Sequence, residues 1–330
     1  MSILPTPKSV VEAAERIAGR VVQTPVLRNA HLDEIAGANL FIKAECLQET
    51  GSFKLRGATN RLMQVPLERR SAGVVAYSSG NHAQGIARAA RRLGMPAVIV
   101  MPRDAPAIKM AGVQADGADL VLYDRDRENR ESMAAEIAQA KGAVVVPSYD
   151  DPMIITGQGT CGLEFGQQVQ KLDTSLQHLV CCAGGGGLIS GIALAFEALE
   201  LSTEFWTAEP EGHEDWARSL AQKQIEKNAP GTRSICDAIL TPEPGVLTWQ
   251  IAGQRATGGC VVTDEHIKQA MRLAFRHLKV VVEPGGAAAL AAALFALPEA
   301  AKDQNIGVVL TGANVDADQY ARILAEDLQN

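Results

Sequence analysis

The chain has 330 residues, 47% of them hydrophobic and 21% charged, with a net charge of −7; that length suits about two domains. The balance excludes a disordered polymer, and an acidic chain without a basic, aromatic-interleaved tract excludes nucleic acid as a partner. Aromatics are few (7 Phe, 3 Trp, 4 Tyr) against 30 Gly, so the core must come from Ala, Val, Leu and Ile, with many points that need a bare backbone.

In chain order the patterning predicts helix 10–18, strand 40–44, helix 55–63, strand 74–77 and helix 82–93. Strands 97–101 and 120–123, helix 127–140, strand 143–146 and helix 159–171 follow. The rest reads as strand 178–182, helix 188–199, strands 204–208 and 259–263, helices 264–277 and 287–297, strand 306–310 and helix 316–328. Near-continuous apolar strands alternating with helices imply parallel sheets covered on both faces. The expected fold class is therefore α/β: two open, mostly parallel twisted sheets covered by helices. A small α/β domain, 70–148, is inserted into a larger one formed by 1–69 and 149–330. The stretch 228–253, rich in Pro and Gly, reads as an irregular excursion.

No apolar run reaches the roughly 18 residues of a membrane helix, and the N-terminus lacks the basic-then-apolar order of a signal peptide. Cys46, Cys161, Cys181, Cys182, Cys236 and Cys260 show no CxxC spacing. They read as reduced thiols of a cytoplasmic protein and not as a zinc site.

Five places can carry chemistry. Lys54 sits at a Gly/Ser turn before a helix, where the positive field of the helix N-terminus favours a neutral, imine-forming amine; taken alone, it reads first as a solvated surface lysine. Ser78-Ser79-Gly80-Asn81-His82 follows an apolar strand and opens a helix, an arrangement that cradles an anion or simply caps the helix. Gly184, Gly185, Gly186 and Gly187, followed by Leu188, offer more glycine than a turn needs and suit a phosphate. Gly157-x-Gly159-x-x-Gly162 matches a dinucleotide fingerprint only formally, because no strand precedes it directly; it reads as a close-packed helix start. Glu209, His213 and Asp215 lie in an acidic loop that could hold a hard divalent cation or only water.

Taken in order, Ser-Phe-Lys-x-Arg-Gly-Ala, Ser-Ser-Gly-Asn-His-Ala-Gln-Gly, the tetraglycine, Val282-Glu283-Pro284-Gly285-Gly286 and Leu310-Thr311-Gly312-Ala313-Asn314 resemble the pyridoxal-phosphate-dependent serine/threonine dehydratase and serine racemase family. The resemblance covers nearly the whole chain. It implies a tryptophan synthase beta-like fold, a homodimer and pyridoxal 5′-phosphate (PLP) bound to Lys54 as the Schiff-base lysine. Phe53 then lies beside the cofactor ring, Asn81 at its phenolic oxygen, Gly184–Leu188 at its phosphate and Thr311 at its pyridine nitrogen, with Glu283 also in the cofactor site. Ser78, Ser79, Gly80, His82 and Tyr149 fall to the amino-acid substrate. The implied reaction removes water from L-threonine or L-serine and yields a 2-oxo acid and ammonia, with Lys54 moving the α-proton.

Two positions divide the family. Ser79 stands where serine racemases carry a serine that reprotonates the opposite face, which favours racemase or hydroxyaspartate-type activity. Tyr149 stands where dehydratases carry an aromatic residue, which favours elimination. Glu209, the His213 carbonyl and Asp215 match the Mg²⁺, Mn²⁺ or Ca²⁺ site of metal-activated members. The short C-terminal stretch after Asp316 leads us to expect no isoleucine feedback. A dehydrogenase and a catalytically silent PLP-binding protein are the disfavoured readings.

Overall fold

The computed structural model describes residues 4–326. Its strands are β1 (Val26–Leu27), β2 (Asn39–Ala44), β3 (Val74–Tyr77), β4 (Ala97–Pro102), β5 (Asp119–Tyr123), β6 (Val144–Val145), β7 (His178–Cys182), β8 (Glu204–Pro210), β9 (Ala256–Val262) and β10 (Asn305–Leu310). They form a six-stranded sheet in the order β1-β2-β10-β7-β8-β9 and a four-stranded sheet in the order β5-β4-β3-β6. Every pairing is parallel except β1 with β2. Helices cover both sheets, as the apolar strands demand: β7 is buried along its whole length, and β2 and β10 at every residue but the first.

Each sheet has one place where the chain reverses the direction in which it adds strands. In the four-stranded sheet β4 and β5 build out on one side of β3, and β6 returns to the other. In the six-stranded sheet β8 and β9 build out from β7, and β10 returns beside it. Loops that leave neighbouring strands at such a point diverge and open a crevice at the carboxyl ends. The loops after β3 and β6, and those after β7 and β10, carry most of the motifs singled out above.

Helices cover more of the chain than patterning suggested. Ala30–Ala36, Ala107–Ala115, Asp215–Gln222 and Val246–Ala252 are helical, the last inside the stretch expected to be irregular. Periodicity over seven to nine residues is too short to detect reliably. Helix Pro152–Gln170 starts well before the expected 159, with Pro152 at its first turn and Asp151 capping the amides of Met153 and Ile154. Gly157, Gly159 and Gly162 thus lie inside a helix and not at its start. A β-carbon on Gly157 would come within 2.6 Å of the Gly57 Cα, and one on Gly159 within 2.6 Å of the Gly191 carbonyl oxygen. These glycines let three helices pack backbone to backbone, and no dinucleotide loop exists there.

The core of the four-stranded sheet reaches beyond 70–148, because Ala58, Leu62, Val65 and Ile154 pack into it. Helix Lys54–Met63 therefore leans on both halves of the molecule. The expected helix 316–328 is observed as Ala317–Ala325, with Leu328 outside the described residues.

Candidate active site

A cavity between the two sheets is lined by Phe53, Lys54, Ser78–His82, Tyr149, Gly184–Leu188 and Thr311, together with Tyr77, Arg130, Ser148, Cys182 and residues 237–241. Nearly every site residue named from sequence thus meets in one place, at the carboxyl ends of β3, β7 and β10.

Lys54 opens its helix, and the preceding Phe53 amide donates to the Thr311 carbonyl at 3.1 Å. An isolated bridge between Ser52 and Gly312 ties the same turn to the end of β10. The Lys54 amine donates to the Ser148 carbonyl at 3.0 Å and lies 5.1 Å from the Phe53 ring centre. No carboxylate pairs with it among the described residues. Burial pulls its pKa down to about 8, which makes it a nucleophile near neutral pH.

The tetraglycine runs from β7 into helix Gly187–Ala198, whose N-terminus has no side-chain cap. Its carbonyls face the protein: Gly184 accepts from the Trp216 indole N–H at 2.6 Å and Gly185 from the Thr248 hydroxyl at 2.6 Å. Amides of the loop are left on the cavity side, backed by the helix dipole. A β-carbon on Gly185 would run into the Tyr149 ring, and one on Gly186 into Trp216. Only glycine therefore fits between these rings and an anion. Tyr149 packs on the loop, and burial pushes its phenol up to about 12, so it stays neutral.

The loop after β3 opens helix Asn81–Arg92, which also lacks a side-chain cap. The Asn81 amide donates to the Glu283 carboxylate and its oxygen accepts from Asn314 at 2.8 Å. His82 is buried, bonds through Nε2 to the Val146 carbonyl at 3.2 Å, and has its pKa lowered to about 3 by burial and by Lys54. Its imidazole is neutral and committed to the fold, so the side chain carries no positive charge into the cavity. Thr311 lies with its Oγ 3.2 Å from the Cys182 Sγ. A buried amine, an uncapped glycine cradle and a hydroxyl at one cavity fit a phosphorylated aldehyde with a ring nitrogen.

Lys109 escaped sequence reasoning. It is fully buried, with its ammonium 2.7 Å from Asp237 and 2.9 Å from Glu283. Burial pulls down on its pKa, but the two carboxylates outweigh that and raise it. No spacing marks this lysine, since its partners are 128 and 174 positions away and only the tertiary fold joins them.

Glu209, His213 and Asp215 lie outside this cavity. Glu209 accepts from the amides of Trp216 and Ala217, both at 2.8 Å, and Asp215 Oδ1 accepts from Asn228 at 2.5 Å. Asp215 Oδ2 and His213 Nε2 are buried without a partner. Among the described residues no three His, Cys, Asp or Glu side chains form a metal-binding group. A cation here would need main-chain oxygens in addition to the two carboxylates.

The comparisons agree with this geometry. Residues 17–312 match the family described as pyridoxal-phosphate dependent enzyme. An L-threo-3-hydroxyaspartate ammonia-lyase of a Pseudomonas species is 43% identical over 316 residues, covering 96% of this chain and 97% of that protein. The structure of maize serine racemase superposes with a TM-score of 0.91 at 38% identity, covering 99% of each chain. A threonine deaminase from T.th. gives 0.88 at 38% identity, covering 94% of this chain and 99% of that one. With the lysine, the glycine cradle and the hydroxyl assembled in one cleft, the chain belongs to the pyridoxal-phosphate-dependent enzymes of the serine/threonine dehydratase and serine racemase family.

Proposed function

We propose that this enzyme removes water from a β-hydroxy amino acid, L-threonine or L-serine in the first instance, and releases a 2-oxo acid and ammonia. The observation that carries the reading is the buried Lys54 amine, lowered to about 8, in the cavity it shares with Ser79 and the glycine cradle. Bound PLP supplies the electron sink that acidifies the substrate α-C–H bond. The protein does the rest. Lys54 takes the proton from Cα and holds it within reach of the substrate. Amides of the Ser78–His82 loop bind the substrate carboxylate at the uncapped helix start. Thr311, a neutral hydroxyl, leaves the ring nitrogen without an enforced charge, which favours prompt loss of the β-hydroxyl over a long-lived carbanion. Phe53 and Tyr149 exclude water from either side.

A second reading is supported by Ser79 and by the serine racemase likeness: the enzyme also inverts serine, with the Ser79 hydroxyl delivering a proton to the face opposite Lys54. Hydroxyaspartate-type substrates belong to the same reading, in line with the Pseudomonas relative.

One assay decides. PLP-loaded protein is offered a panel of β-hydroxy amino acids, with 2-oxo acid and D-serine measured together. Formation of 2-oxo acid, lost in Lys54→Ala, supports the main reading, and its absence for every substrate overturns it. Ser79→Ala should abolish D-serine while sparing the 2-oxo acid; equal loss of both refutes the second reading.

The same reading includes a divalent cation (Mg²⁺, Mn²⁺ or Ca²⁺) held by Glu209, the His213 carbonyl and Asp215. The supporting observation is the unpartnered, buried Asp215 Oδ2, since two buried carboxylates close in sequence are costly without a countercharge. Chelator should lower the melting temperature and added Mg²⁺ restore it. A homodimer in the cytoplasm completes the proposal. The six buried free cysteines suit a reducing compartment, and sedimentation velocity tests the dimer.

A further inference from the structure

Trp216 is fully buried in the first turn of helix Asp215–Gln222 and joins two places that lie apart in sequence. Its main-chain amide donates to Glu209 Oε1 at 2.8 Å, and the next amide, of Ala217, donates to Oε2 at the same distance. The Glu209 carboxylate thus grips this turn with both oxygens. At its other end the Trp216 indole N–H donates to the Gly184 carbonyl at 2.6 Å. The ring is wedged between neighbours: a β-carbon on Gly186 would come within 2.1 Å of it, and the Trp249 ring stands 5.8 Å away.

A trans peptide sets its carbonyl and the following N–H on opposite sides. Holding the Gly184 carbonyl against the protein therefore aims the Gly185 N–H the other way, into the cradle. Asp215, directly before Trp216, keeps Oδ2 buried and unpartnered. Positive charge placed beside Glu209 and Asp215 changes how strongly Glu209 holds its two amides. A side chain packed without slack passes that change on to Gly184.

We infer that Trp216 is a positioning residue that couples the acidic loop to the phosphate cradle, so that a divalent cation at Glu209 and Asp215 tightens PLP binding without meeting PLP. The inference rests on the PLP and cation assignments above and deepens them. The coupling is reciprocal: bound PLP raises cation affinity by the same factor.

The test titrates apoprotein with PLP, followed by absorbance, with and without Mg²⁺, and titrates Mg²⁺ by calorimetry with and without PLP. In the wild type each should raise the affinity for the other by about fivefold or more. Trp216→Phe keeps a ring in place and loses only the N–H. It should still bind Mg²⁺, but the coupling factor should fall to about one. A merely structural tryptophan would lower PLP affinity equally with and without the cation and leave that factor intact. A second arm needs no cation. Glu209→Gln should weaken PLP binding in the wild type by about 2- to 10-fold, the range of one hydrogen bond, and add nothing to Trp216→Phe.

Coupling of undiminished size in Trp216→Phe overturns the inference. The charge then reaches the cofactor through space or through Asn228, whose amide bridges Asp215 Oδ1 and the Thr241 carbonyl. A wild type that binds both ligands without coupling overturns it as well. Absence of Mg²⁺ binding to the wild type overturns the cation reading, and the Glu209→Gln arm then decides on Trp216 alone.

Discussion

The ammonium of Lys109, on a helix of the four-stranded sheet, lies 2.9 Å from the carboxylate of Glu283, which opens a helix packed on the six-stranded one. Asn81 donates to the same carboxylate. The contact thus joins the two layers directly behind the cavity. Burial pushes the Glu283 carboxyl up and Lys109 pulls against it; the charged lysine, held by two carboxylates, is what keeps this pair in place. Lys109→Met leaves a buried carboxylate without its cation and should cost about 3–5 kcal/mol. The double variant Lys109→Met/Glu283→Gln should recover part of that loss. Urea unfolding of the four proteins in a double-mutant cycle measures both values.

The Lys54 amine should govern loading of the cofactor. With a folded-state pKa of about 8, its neutral fraction climbs steeply below pH 8 and levels off above it. The rate at which apoprotein takes up PLP should therefore rise about tenfold between pH 7 and 9 and then plateau, whereas an ordinary lysine near 10.4 would keep climbing. The sign also predicts stability. A lysine with a lowered folded pKa disfavours the folded state once it is protonated, so apoprotein stability should fall as pH drops from about 10.4 to about 8. Stopped-flow absorbance and thermal melts check the two statements.

Arg56, two residues after Lys54, anchors the helix that carries it. Its guanidinium donates to both oxygens of the buried Glu45 at 2.7 Å and to the partly buried Glu164 at 3.1 Å. Burial raises the Glu45 carboxyl, but Arg56 outweighs it and the net direction is down. A lowered carboxylate pKa gives stability that is present above the unfolded value near 4.3 and lost as pH falls through the lower folded one. Arg56→Leu should cost about 3–5 kcal/mol at pH 7, and much of that difference should vanish below about pH 4. Denaturant titrations at the two pH values provide the comparison.

Gly186 holds a φ of +89° with Trp216 packed over it. Gly186→Ala adds both backbone strain and a clash, so a loss of about 1–3 kcal/mol in stability is expected. The larger effect should fall on the cofactor. Displacing Trp216 releases the Gly184 carbonyl that its indole holds, which disturbs the cradle, and PLP affinity should drop at least about tenfold. Titration followed by absorbance measures it.

Thr311 offers a test of how the reaction divides. A carboxylate at this position would hold the ring nitrogen protonated and strengthen the electron sink. Thr311→Asp should raise the proportion of racemised over eliminated serine by about tenfold, and Thr311→Ser should leave it unchanged. Chiral chromatography alongside 2-oxo acid measurement gives the ratio.

Much of this protein was legible in one dimension because its chemistry lies on contiguous loops. The Ser78–His82 loop and the four glycines each follow a strand directly, and Lys54 sits at a Gly/Ser turn that opens a helix, so local patterning found them. The alternation of apolar strands with helices also determined the α/β class and the parallel sheets, since a strand buried on both faces has no freedom to alternate polar residues. What only the tertiary structure decided were relationships across distance. Lys109 with Asp237 and Glu283, Arg130 facing the same cavity as Ser79, and Tyr149 and Trp216 clamped on the glycine loop all join positions that no local pattern connects. The short helix Asp215–Gln222 occupies both oxygens of Glu209 in a way the acidic spacing did not reveal. The formal Gly157-x-Gly159-x-x-Gly162 match proved to be helix packing, because a glycine spacing looks the same whether a phosphate or another backbone approaches it. Sequence thus determines which groups can do chemistry, and the two crevices opened by strand reversal decide which of them meet.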